Sequence, residues 1–223
     1  MKRDLFGDLQ YIIKEPGQPM KKNPAIIFLH GAGTRGTDIS VLERNSFLSE
    51  KSRISDMESP FMVFAPLCSR DSWFDLFEQL QEFVKMVAAH PAVDPNRLYL
   101  LGNSMGGFGS WQLAMTMPEY FAALVPICGG GMSWNAKRLI NIPVWAFHGK
   151  NDKTVPPELS VFMVNKLNSV GGNARLTLLD NTGHNSWDYA FGLQELFDWM
   201  LNQRNVDTPV GQDESYSDST LFG

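Results

Sequence analysis

Short runs of β-branched and aromatic residues, each closed by Gly, Pro or Asn, recur along the chain at Leu9–Ile13, Ala25–Leu29, Phe61–Ala65, Arg97–Leu101, Ala123–Ile127, Val144–Phe147 and Arg175–Leu179. Most are continuously apolar rather than alternating, which is the pattern of strands covered on both faces of a parallel sheet. Stretches with helical spacing lie between them. In Trp73–Ala89 the residues Phe74, Phe77, Leu80, Val84 and Val87 return every three or four positions, and Pro91 marks the end. The same reading predicts helices over Met105–Met117, Pro157–Val170 and Trp187–Asn202, with a helical run around Ser40–Glu50. Strand and helix therefore alternate to about residue 203. That order predicts an α/β fold, a doubly wound and mostly parallel sheet with helices on both faces, whose working groups gather in loops at the carboxyl ends of the strands.

Composition narrows the picture. At 223 residues, with 43% apolar side chains, the chain suits one globular domain, expected to span residues 1–204 without a lid domain. The longest apolar runs, such as Ala122–Cys128, fall far short of the roughly 20 residues that cross a bilayer. Residues 205–223 differ: they carry Asp207, Asp213, Glu214 and Asp218 and no Lys or Arg, so they read as an acidic, polar, flexible tail. They hold four of the five net negative charges, which leaves a nearly neutral body. With no basic run longer than Lys21-Lys22, nothing offers nucleic acid a groove. Two cysteines, Cys68 and Cys128, make no disulfide framework, and Met1–Lys14 has no apolar core of a secretory leader, so a cytoplasmic protein is expected.

The chemistry starts where the strand Arg97–Leu101 runs into Gly102-Asn103-Ser104-Met105-Gly106-Gly107 and a helical pattern follows at once. Gly-x-Ser-x-Gly between strand and helix is the setting of a nucleophile elbow. The glycines are needed because side chains two residues either side of so tight a turn would strike neighbouring backbone. A serine hydroxyl attacks only when a base takes its proton, so a histidine and an orienting carboxylate must follow. Of four histidines, only His184 follows the elbow on a loop after a late strand. His30 and His148 each end a strand and precede Gly, suggesting structural roles bonded to backbone, and His90 closes a helix. Asp152, in the turn after Val144–Phe147, is the expected acid; Asp180 and Asp188 are rivals too close to His184 in sequence. Two backbone amides should hold the oxyanion: that of Met105, at the positive end of its helix, and that of Ala32, with Gly33 as the alternative, in the small-residue loop Leu29-His30-Gly31-Ala32-Gly33.

These segments, with Pro126–Gly131, Pro143–Pro156 and Gly183-His184, resemble a small serine hydrolase of the α/β-hydrolase superfamily. The similar branch holds phospholipase/carboxylesterase-type and dienelactone-hydrolase-like esterases, over about residues 24 to 203. The resemblance implies a Ser104, Asp152, His184 triad, an oxyanion hole at Ala32 and Met105, and neither metal nor cofactor. Dienelactone hydrolases commonly carry a cysteine nucleophile; a serine here favours ordinary ester hydrolysis. The expected activity is cleavage of small, short-acyl or aryl carboxylic esters through an acyl-enzyme, with a thioesterase or peptidase on the same scaffold, or a non-catalytic binding protein, as alternatives. Trp73, Met132, Trp134 and Trp187 are candidate pocket residues, each equally able to be core, and Arg70 is a candidate for an anionic group. A homodimer is left open.

Overall fold

The computed structural model describes residues 1–205, and the expected tail lies outside the described residues apart from Asn205. Asn205 is bound to the body, its amide donating to Asn96 O at 2.9 Å.

Among the described residues eight strands form one sheet in the order β1-β2-β4-β3-β5-β6-β7-β8. They are β1 (Lys2–Phe6), β2 (Leu9–Lys14), β3 (Asn23–Leu29), β4 (Met62–Pro66), β5 (Val93–Asn103), β6 (Ala123–Ile127), β7 (Val144–Gly149) and β8 (Ala174–Leu179). β1 and β2 form an antiparallel hairpin, β2 is antiparallel to β4, and every remaining neighbour is parallel. All seven expected strands are present. β1 was not expected, because Lys-Arg-Asp-Leu-Phe is an exposed edge strand without an apolar face. Its signal was the two-residue turn Gly7-Asp8, where Gly7 has φ +61°, a conformation suited to tight hairpins.

The continuous apolar runs have the expected cause: alternate residues of β2 to β7 enter two different cores. Ile27, Leu29, Phe64, Leu98 and Leu100 face α2 (Phe77–Ala88), α3 (Met105–Thr116) and α4 (Glu158–Ser169). Ile26, Phe28, Val63, Tyr99 and Leu101 face α1 (Ser40–Glu43), α5 (Trp187–Gly192) and α6 (Gln194–Leu201).

Two helices depart from the sequence expectation. The run around Ser40–Glu50 stops after four residues, because Asn45 turns its side chain back on the chain and its Oδ1 accepts the Phe47 amide at 3.0 Å. The last helix is broken after Gly192, where Leu193 takes extended dihedrals (φ −86°, ψ 104°) and a new helix starts. Among the described residues no helix is long and apolar enough to cross a membrane.

Candidate active site

The carboxyl ends of β3, β5, β7 and β8 converge, and each delivers one part of the site. At the end of β5 the chain turns directly into α3 through Ser104, whose φ of 55° and ψ of −119° lie outside the ordinary regions for an L-residue. The turn closes only because its flanks lack side chains. A Cβ on Gly102 would lie 2.2 Å from Gly106 O, and one on Gly106 would lie 1.8 Å from Leu29 O. The strained serine is thereby lifted above the first amides of α3, which have no partners within the helix.

Ser104 Oγ is 2.8 Å from His184 Nε2, and His184 Nδ1 is 2.7 Å from Asp152 Oδ2. Asp152 is 6% exposed, in the turn after β7. Its Oδ1 accepts the amides of Thr154 at 2.8 Å and Val155 at 2.9 Å. Burial works to raise the carboxyl, but the His184 bond and these two amides outweigh it, so Asp152 sits below the usual carboxylate range and is an acceptor. His184 Nδ1 therefore carries the donated proton, and Nε2 presents a lone pair to the serine hydroxyl. The structure brings together the three residues singled out from the sequence. Asp180 instead pairs with Lys150 at 2.6 Å, and Asp188 accepts from the Asn185 side chain at 2.7 Å.

A pocket of about 480 Å³ opens over Ser104 and His184. Gly31, Ala32 and Gly33 form one side of it, with Ala32 opening a 3₁₀ turn that runs to Thr34. Arg35 braces this turn: its Nε donates to Ala32 O at 3.0 Å and its Nη1 to Asp71 O at 2.5 Å. Thr34, Arg44, Asn45, Ser46, Asn103, Thr154 and Trp187 complete the walls. Apart from Trp187, these wall residues carry no sequence signal, since Thr34, Arg44, Asn45 and Ser46 are polar residues on a long connection and Asn103 and Thr154 merely flank the elbow and the acid turn.

The four candidate pocket residues separate. Trp187 lines the pocket, its ring 5.3 Å from that of His184. Trp73 is fully buried, donates its Nε1–H to His30 O at 2.9 Å, and packs on the His30 ring, so it is core. Met132 and Trp134, 40% and 74% exposed, are surface residues that do not line this pocket. Arg70 lines a separate surface depression with Arg35, Gly36, Ser69 and Asp71.

His30 is bonded to backbone, as its position suggested. Its Nδ1 is 2.8 Å from Gly31 O and its Nε2 accepts the Cys68 amide at 3.0 Å. Burial pushes its pKa down to about 4. His148 departs from that expectation: it reaches the side chains of Asp152 and Ser160 as well as Val155 O.

Both cysteines are buried and unpaired, and burial pushes the Cys128 thiol up to about 12. Cys128 Sγ, the Asp152 carboxylate and the His184 imidazole lie within 4.8 Å of one another. As metal ligands they fit poorly, because the thiol is protonated and the other two groups are bonded to each other.

A family model described as phospholipase/carboxylesterase matches residues 10–195. A thermostable esterase of known structure is 32% identical, with a TM-score of 0.74, over 88% of this chain and 59% of that one. Est1E from Butyrivibrio proteoclasticus, in a structure with ferulic acid bound, covers 91% of this chain at a TM-score of 0.68 and matches over 99% of its own length. Its 14% identity shows a shared fold alone. Among curated proteins, the poly(3-hydroxyalkanoate) depolymerase C of Paucimonas lemoignei is 37% identical over 51 residues, which is 23% of this chain and 12% of that protein. The chain thus spans less than two thirds of the length of both the esterase and the depolymerase it resembles. With the family match running from β2 into α6, the chain belongs to the phospholipase/carboxylesterase family of the α/β-hydrolase superfamily.

Proposed function

We propose that the protein is a serine carboxylesterase acting on small carboxylic esters, with Ser104 as nucleophile, His184 as general base and acid, and Asp152 as the group that orients His184. The observation that carries the reading is the unbroken hydrogen-bond line from Ser104 Oγ through His184 to Asp152 Oδ2, ending at an open pocket. Kinship with the phospholipase/carboxylesterase family supports it, as do the thermostable esterase and the poly(3-hydroxyalkanoate) depolymerase among the similar proteins.

His184 Nε2 takes the Ser104 proton as Oγ bonds to the ester carbonyl carbon, and the electron pair of the C=O bond moves to oxygen. The amides of Ala32 and Met105 hold that oxyanion, with Gly33 as the alternative donor, and the first turn of α3 adds its positive end. The C–O bond to the alcohol breaks, His184 gives its proton to the leaving oxygen, and water repeats the sequence on the acyl-enzyme. A pocket of about 480 Å³ fits a short acyl or aryl ester better than a long lipid chain. The same reading takes residues 1–204 as the catalytic domain and 205–223 as an appended tail, and the two unpaired thiols fit a reducing, cytoplasmic setting.

p-Nitrophenyl acetate tests the core of the proposal. Ser104→Ala is expected to lower kcat by about 10⁴-fold or more. Turnover retained by that variant would overturn it, and a series from acetate to palmitate would measure the acyl preference.

A further inference from the structure

The carboxylate of Asp152 is held from two sides. His184 Nδ1 approaches Oδ2 at 2.7 Å, and His148 Nε2 stands 3.1 Å from the same oxygen. His148 lies in β7 and is wholly buried. Its Nδ1 is 2.7 Å from Ser160 Oγ in α4, and Ser160 Oγ is 2.8 Å from Gly129 O, just past β6. Two elements that carry none of the triad, α4 and β6, are thus connected to its acid through one buried imidazole.

The bonding around His148 decides where its proton is. Nε2 faces Val155 O at 3.0 Å as well as Asp152 Oδ2, and both are acceptors. An unprotonated Nε2 would point its lone pair at two oxygens, so the proton belongs there. Burial drives His148 toward the neutral form, against the opposing pull of Val155 O and Asp152. In that form Nδ1 is an acceptor, and the single Ser160 hydroxyl proton lies between it and Gly129 O, with Ser160 Oγ 2.7 Å and 2.8 Å from the two. Ser160 is itself fully buried, so no water substitutes for that contact.

We propose that His148, selected as its Nε2–H tautomer by Val155 O and Asp152 and braced at Nδ1 by Ser160, is a positioning residue that fixes Oδ2 of Asp152 and limits how much of the carboxylate's charge His184 receives. The inference rests on the triad reading above. With His148, each oxygen of Asp152 has two donors; without it, Oδ2 is held by His184 alone. Two effects follow. The carboxylate becomes freer to turn, and the charge facing His184 grows, which favours the imidazolium. The titratable groups around Asp152 are His148, His184 and Cys128, whose thiol stays neutral through the working range; Lys150, Lys153 and Glu158 on the same turn and helix start are exposed to solvent.

The test is the pH profile of kcat/KM for p-nitrophenyl acetate in the full chain, with two opposed replacements. Asparagine keeps a polar atom near the position of Nδ1 but withdraws the donor from Asp152, whereas the longer glutamine brings an N–H to the place of Nε2. His148→Asn is expected to move the acid limb up by about 0.5 pH unit and to lower kcat about tenfold with little change in KM. His148→Gln is expected to bring the acid limb back to within about 0.2 unit of the parent. Ser160→Ala, the smallest change, should lower kcat about threefold and move the limb in the same direction as His148→Asn. If His148→Asn and His148→Gln lose activity equally with the acid limb unmoved, His148 is only a packing residue and the inference fails. Should the asparagine variant not fold, a Ser160→Ala protein with the parent's profile and kcat overturns it as well. A parent whose activity survives Ser104→Ala would instead sink the triad reading, so the two failures are distinguishable.

Discussion

The two sides of the cleft at Ser104 are built in opposite ways. On the Asp152 side a buried carboxylate has both oxygens filled, by the Thr154 and Val155 amides and by two imidazoles. On the other side the connection from Gly31 to Pro60 buries Leu42, Phe47, Leu48 and Ile54 in the second core, but its polar bonds near the pocket lie at the surface, among them Arg35 to Ala32 O and Asp71 O, and Gln10 Nε2 to Thr37 O at 2.9 Å. The difference follows from what each side must do. A charge withdrawn from water is tolerated only when its hydrogen bonds are complete, so the acid side leaves little room for change. The loop side meets substrate and solvent, where water compensates for a lost contact, so it has latitude to vary.

That contrast can be broken at either side, and the largest effect is expected at the buried one. Asp152→Asn should lower kcat/KM by about 10⁴-fold, because an amide in place of the carboxylate can direct an N–H at His184 and favour the wrong tautomer. Steady-state kinetics at saturating and limiting p-nitrophenyl acetate measure it, and a loss below tenfold would show that the acid side is less demanding than its bonding implies.

Next in size is a pH effect on stability, carried by His30 beneath the loop side. Its Nδ1 donates to Gly31 O while Nε2 accepts the Cys68 amide, so the folded protein has no place for a second proton. The imidazole takes a proton near 6.5 when unfolded and near 4 when folded. The unfolded state therefore binds more protons in between, and stability is complete above about pH 6.5 and falls as the pH drops toward 4, by about 3 kcal/mol. His148, lowered in the same sense, adds to the slope. Asp152 acts in a different window, since its lowered pKa keeps its contribution intact until the pH falls below the ordinary carboxylate range. Urea unfolding at pH 7 and pH 5 should show the loss, and His30→Asn should flatten it while lowering stability at both; an unchanged slope in the variant would remove His30 as the cause.

The smallest effect is expected from Arg35→Ala. It releases Ala32 O and Asp71 O, both reached from an exposed side chain, and should lower kcat about threefold with less than about 1 kcal/mol of stability lost. A hundredfold drop in kcat would mean that the loop side is as tightly specified as the acid side.

Much of this was legible in the sequence, and the parts that were not share a cause. Periodicity located seven strands, six of which, β2 to β7, bury residues in the cores on both sides, because such burial requires apolar residues. It missed β1, which buries little, and overextended the helix at Ser40, where Asn45 redirects the chain. The elbow glycines were readable because close backbone approach excludes every other residue at Gly102 and Gly106. Trp73 and Trp187 could not be told apart in advance: both are aromatic residues following a strand, and only the packing sends one under His30 and the other to the pocket. His148 bonds backbone at Val155 O as expected, but its side-chain partners escape the sequence for a related reason. Its place four residues before Asp152 was visible, but its direction was not.

By itself the sequence determined the alternation of strands and helices, the position of the sharp turn at Ser104, and the choice of His184 and Asp152 to accompany it. Each depends on local patterns, which steric exclusion and burial write directly into residue type. Tertiary structure alone decided that a second imidazole shares the Asp152 carboxylate, that Ser160 stands against that imidazole's other nitrogen, and that Thr34, Arg44, Asn45 and Ser46 wall the pocket. Those outcomes depend on distances between groups far apart in the chain, and hydrogen bonding at about 3 Å is decided only when the sheet has brought the strand ends together.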